Sequence, residues 1–146
     1  MIIHQRLDDW QARLDAWVAY MHVTPFQWGV HDCGLNASSF VDAQTGVDFA
    51  AEFRGKYDSL ETGMALLKAK GFDNHADFAA SVLPEIPPAF ARIGDIAAVD
   101  FGAGGIALMG VAGQMLIGPM LGHAGSISRL KACRAFAVGY TPGGLS

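Results

Sequence analysis

The sequence predicts an α+β domain in which helices come first and an antiparallel sheet follows. Three observations carry this. Residues 4–83 place apolar side chains at helical spacing, and residues 94–140 break into short apolar runs punctuated by glycine. The proline-rich passage LPEIPPAFARIGD separates the two parts. Helices segregated from strands in this way pack on one side of a sheet. At 146 residues the chain suits one domain spanning 1–146. A chain of this length buries roughly 70% of its unfolded surface, enough to stand without staples.

The elements follow in order. In HQRLDDWQARLDAWVAYMH, residues 4–22, Leu7, Trp10, Leu14, Trp17, Val18 and Met21 fall on one face. That spacing predicts an amphipathic helix with an aromatic stripe turned to the core. Pro25 stops it and forces Thr24 towards an extended shape. Asp32 is an N-cap candidate for a second helix over CGLNASSFVDAQT, which ends at Gly46. Gly34, Ala37, Ser38 and Ser39 let that helix approach a neighbour closely. VDFAAEFRGKYDSLETG is a connector with one short helical turn. Residues 59–70 predict a third helix with Leu60, Met64 and Leu67 inward and Gly71 as its cap, while Ser59 and Thr62 fall short of a full capping box. Residues 74–83 predict a fourth helix. About five strands follow: DIAAVDF, GIALMGVA, QMLIGP, SISRL and RAFAVGY. GAGG, residues 102–105, reads as a hairpin turn, because it lacks the Lys-Ser/Thr and the following helix of a phosphate loop.

Composition narrows the function classes. Hydrophobic residues at 51% and charged ones at 16% mark a globular chain. The net charge of −4 and the lack of a Lys/Arg run disfavour a nucleic-acid partner. No apolar run approaches the ~18 residues that span a bilayer. The N-terminus lacks a signal-peptide pattern, which predicts a cytoplasmic protein or one delivered without Sec. Cys33 and Cys133 form no disulfide framework and show no zinc spacing. The histidines His4, His22, His31, His75 and His123 show no HxxxH pattern. Neither a metal nor a cofactor is expected.

Chemistry concentrates at WGVHDC, residues 28–33. With Asp32 as N-cap, Cys33 is the first residue of the helix, where the macrodipole favours a thiolate. Trp28 and Gly29 are placed to wall a cleft and admit a substrate backbone. A nucleophilic thiol also needs a general base. His31 and His123, the latter in a glycine-rich turn, are the candidates, although each reads better as a solvated loop histidine. His4 and His22 read as solvated, and Cys133 as a packed thiol. In FRGKYDS a bend at Gly55 presents Arg54 and Tyr57, with Arg54 orienting Asp32 or Asp48 or bracing a loop. Asp95 after Gly94 is placed to cap a turn. Neither Asp95 nor Asp100 has a carboxylate partner, so glycosidase-type paired acids lack support.

WGVHDCGLNASSFVDAQTG, followed by ARIGDIAAVDF, resembles the NlpC-type papain-like cysteine peptidases of bacterial cell-wall turnover. More closely it resembles uncharacterised domains encoded in prophages near tail genes, where WGxxDC is followed by a G-D-F/L turn and an RGxY motif, here GVDFAAEFRGKY. The resemblance runs from about Pro25 to Tyr140. It implies a papain-like fold with N-terminal helices on an antiparallel sheet, Cys33 at the nucleophile position and Gly94-Asp95 at the turn before the sheet. It also implies histidines on the next two strands, and there this chain departs. Leu108 stands at the first position and Gly118 at the second. Leucine moves no proton and glycine orients no imidazole, while general-base assistance supplies roughly 10²–10⁴-fold. Three readings follow. The first is a tail-associated module with a degenerate hydrolase site, binding a peptide or another tail protein. The second is an active cysteine amidase or peptidase on cell-wall peptide, with His31 or His123 as a relocated base. The third is a plain interaction domain. The oligomeric state is not readable from the sequence.

Overall fold

The computed structural model describes residues 1–120 and 123–143, His123 by its backbone only. Over these residues it is an α+β protein with four helices and a six-stranded antiparallel sheet. The helices are α1 (Trp10–Val23), α2 (Cys33–Thr45), α3 (Leu60–Ala69) and α4 (His75–Val82). The strands are β1 (Glu85–Ile86), β2 (Ile96–Asp100), β3 (Ile106–Ala112), β4 (Met115–Met120), β5 (His123–Ser128) and β6 (Ala132–Phe136). Their order across the sheet is β1-β6-β2-β3-β4-β5.

The sixth strand corrects the expected count of about five. It is β1, two residues inside the proline-rich passage, paired Glu85 to Phe136 and Ile86 to Ala135. Proline suits a sheet edge, where an N–H is dispensable. SISRL also divides differently: β5 begins earlier, at His123, and Arg129–Lys131 form a 3₁₀ turn. His123 is therefore a strand residue opposite Met120 and not part of a free turn. Its side chain lies outside the described residues.

The second helix begins and ends where its sequence directs. The Asp32 side chain accepts from the Leu35 N–H, and Gly46 closes the helix in the left-handed region at φ 79°. Helix α1 starts at Trp10, six residues later than the periodicity predicted, and its Trp17 and Val18 pack against the core around buried Leu14. Helix α3 has the full capping box, because the Thr62 hydroxyl takes the place of the usual Glu or Gln. Leu60, expected inward, is 43% exposed, while Leu67 is buried.

The main core lies between α2 and the sheet. Phe40 of α2 is buried against Ile96, Leu108 and Phe136. Gly110 of β3 makes room for it: a Cβ there would stand 2.5 Å from the Phe40 ring. The other sheet face buries Ala97, Val99, Met109, Val111 and Leu116. Arg134 on β6 fastens α4 to the sheet through Asp77 at 2.9 Å and a two-pronged pair with Glu85 at 2.8 and 2.9 Å. No helix among the described residues is long and apolar enough to cross a membrane.

Candidate functional site

The two motifs singled out by sequence meet at Asp32. Among the described residues this buried carboxylate takes three hydrogen bonds. The Leu35 N–H donates to Oδ1 at 3.0 Å, the Gly29 N–H to Oδ2 at 2.9 Å, and the Tyr57 hydroxyl to Oδ2 at 2.5 Å. The Gly55 N–H donates to the Gly29 carbonyl at 2.8 Å and completes the link between WGxxDC and RGKY. Gly29 is required here. Its φ is 78°, and a Cβ would stand 1.9 Å from the Tyr57 carbonyl oxygen. Burial and the Asp32 bond both raise the Tyr57 phenol, so it remains a donor. Arg54 takes the Asp48 option, donating to Oδ1 at 3.1 Å. Trp28 is half-buried and packs edge-on against Phe26 at 4.8 Å.

Cys33 occupies the first position of α2 and is half-buried. Its Sγ–H donates to the Pro119 carbonyl of β4 at 3.3 Å. Three influences act on the thiol. Burial is the largest and raises it, the adjacent Asp32 carboxylate raises it further, and a backbone hydrogen bond at the helix start lowers it. Together they push it up to about 11. At pH 7 this favours the neutral thiol more strongly than in a free cysteine, which is a few per cent thiolate. The helix start therefore does not activate this sulfur.

Among the described residues, no imidazole shares a hydrogen bond with Cys33. His31 is not a solvated loop histidine: it is 3% exposed, and its ring packs against Trp17 and Tyr20 at 5.9 and 6.1 Å. Burial lowers its pKa, against the Asp32 charge, and its Nε2 has no hydrogen-bond partner among the described residues. Leu108 is buried in the core between sheet and helices. Gly118 is buried in β4, where a Cβ would meet Met109 at 3.7 Å and the Asn36 amide nitrogen at 3.8 Å. These are ordinary contacts, so a Cβ at that position meets no steric barrier. Cys133 departs from its expected packing role: it is exposed on β6, with Sγ donating to the Ala98 carbonyl.

Three partners carry little signal in the sequence. Asn36, fully buried one turn after Cys33, accepts from Trp17 Nε1 at 3.0 Å. Pro119 contributes only a backbone carbonyl, which no side-chain pattern can announce. His75, the first residue of α4, has its Nδ1 buried beside Gly34. Asp95 caps a turn as expected, accepting from the Arg92 N–H at 2.8 Å. It also accepts from the Val138 N–H and the Tyr140 hydroxyl, with Arg6 3.7 Å away. Among the described residues no cluster of His, Cys, Asp and Glu is placed to hold a metal ion.

Residues 5–138 match the family described as a domain of unknown function, DUF6950. The chain belongs to that family. The DUF6950 match takes in α1 to β6 and every residue of the Asp32 and Cys33 arrangement. None of the curated proteins compared with the chain matches it.

Proposed function

We propose that this DUF6950 domain is a phage- or prophage-derived, tail-associated module with a degenerate cysteine-hydrolase site on a papain-like, NlpC-type scaffold. It binds or braces; it does not hydrolyse. Its partner is a peptide or another tail protein. The phage setting and the scaffold rest on the resemblance of WGxxDC, RGxY and the Gly-Asp turn in that order. The loss of catalysis is supported by one observation: the Cys33 thiol donates to the Pro119 carbonyl, where burial and the adjacent Asp32 carboxylate raise it. A nucleophile needs a base or a lowered pKa, and this thiol is raised. Asp32 is engaged with Gly29, Leu35 and Tyr57, which makes it a brace for the loop.

Alkylation by iodoacetamide across pH 5–9, mapped to each cysteine by mass spectrometry, tests this. Exposed Cys133 and the unfolded chain serve as references. Cys33 is expected to react more slowly than either, with a rate still climbing at pH 9. A rate that levels off below pH 8, and falls when His31, His75 or His123 is changed to alanine, overturns the reading in favour of an active cysteine amidase on cell-wall peptide.

A further inference from the structure

Two small apolar cavities adjoin between α2 and α4. The first has a volume of about 50 Å³ and the second about 40 Å³, and Gly34, Ser38, Phe78 and Leu108 line both. His75 and Tyr57 border the first, Ala37 and Ala79 the second. The polar side chains here are already engaged, with one exception. The Tyr57 hydroxyl donates to Asp32 and the Ser38 hydroxyl to Asp48. His75 Nδ1 is buried and has no partner among the described residues. It lies 3.6 Å from the point a Cβ on Gly34 would occupy, and Gly34 lines both cavities.

We propose that these joined cavities bind an unbranched aliphatic chain of a few carbons ending in a hydroxyl, with the hydroxyl on His75 Nδ1 and the chain running past Gly34 between α2 and α4. Size sets the shape of the ligand. An apolar cavity that holds benzene is about 150 Å³, larger than these two, so an aromatic ring is excluded and a thin chain is not. Chemistry sets the head group. A neutral imidazole nitrogen either accepts or donates according to tautomer, and a hydroxyl answers both. Asp32 Oδ1 lies 3.7 Å from the same Gly34 point and disfavours a carboxylate head. The apolar walls disfavour a charged amine. Cys33 is not among the lining residues, so this site stands or falls separately from the thiol chemistry.

The test is an NMR titration of the full chain with 1-propanol, 1-butanol, 1-pentanol and 1-hexanol. The His75 ring nitrogens and the methyls of Ala37, Ala79 and Leu108 are the reporters. Saturable shifts at these groups are expected, with affinity rising about fourfold per added methylene until the cavities are filled. The variant Gly34→Ala places a methyl 3.5 Å from the His75 ring, an ordinary contact in a helix that alanine favours. It is expected to weaken binding at least tenfold. Ala79→Val, which narrows the second cavity, is expected to move the length limit to a shorter alcohol. Shifts that never saturate, that spare His75, or that persist unchanged in both variants overturn the proposal.

Discussion

Asp32 shows how much one side chain can settle. It is the N-cap of α2, the anchor of Gly29 and the acceptor for Tyr57 at once. Because it already accepts three bonds, it is a poor candidate for orienting an imidazole. Its charge also opposes ionisation of the neighbouring Cys33. Replacing Tyr57 with phenylalanine removes the only side-chain donor among these three and leaves the ring in place. Hydrogen bonds to charged groups contribute about 1.5–3 kcal/mol, so Tyr57→Phe is expected to cost about 2 kcal/mol in urea unfolding. It is also expected to speed amide exchange at Gly29 and Gly55, whose contacts the same link holds. A variant as stable as the parent, with unchanged exchange, would show that the Asp32 bridge does not hold the two motifs together.

At the scale of elements, α2 sits where a missing Cβ allows it. Phe40 lies over Gly110 so closely that any side chain on β3 there meets the ring. Overpacking of this kind costs typically 1–3 kcal/mol. Gly110→Ala is expected to lose about that much, and Phe40→Leu in the same chain to return part of it. A double-mutant cycle measures the coupling, and strict additivity would mean the two residues do not interact. The same pair marks what the sequence made legible. The ends of α2 were readable because Asp32 and Gly46 act on backbone groups within a few residues. The meeting of WGxxDC with RGKY was half readable: the residues stood out, while their common partner needed the folded loop. Gly110 read only as strand punctuation, since its reason is a ring seventy residues away. The strand β1 was hidden in a passage whose prolines signal a break, because its partner β6 lies fifty residues later. His31 read as solvated from its loop position, and long-range packing on Trp17 and Tyr20 buried it.

For the molecule as a whole, buried titratable groups set opposing responses to pH. A polar knot joins the chain start to the sheet and the last strand's exit. Arg6 donates to the Ile93 carbonyl and stacks on Trp10, Gln44 donates to the Gly94 carbonyl, and Asp95 receives Tyr140. Burial raises Asp95, so its folded form holds a proton more tightly than the unfolded chain does. Its contribution is complete below the ordinary carboxylate range and is lost as pH rises through the folded value. His31 and His75 behave oppositely. Burial lowers both, so the unfolded chain binds their protons more readily. Their contribution is complete above the ordinary histidine value, ~6.5, and is lost as pH falls below it towards the folded values. Each imidazole adds at most about 1.4 kcal/mol per pH unit within its window. Urea midpoints are therefore expected to fall between pH 7.5 and 5.5, and the double variant His31→Asn with His75→Asn to flatten that fall. A midpoint that stays level in the parent, or falls as steeply in the double variant, would place the pH response on other groups and remove the buried imidazoles from the account.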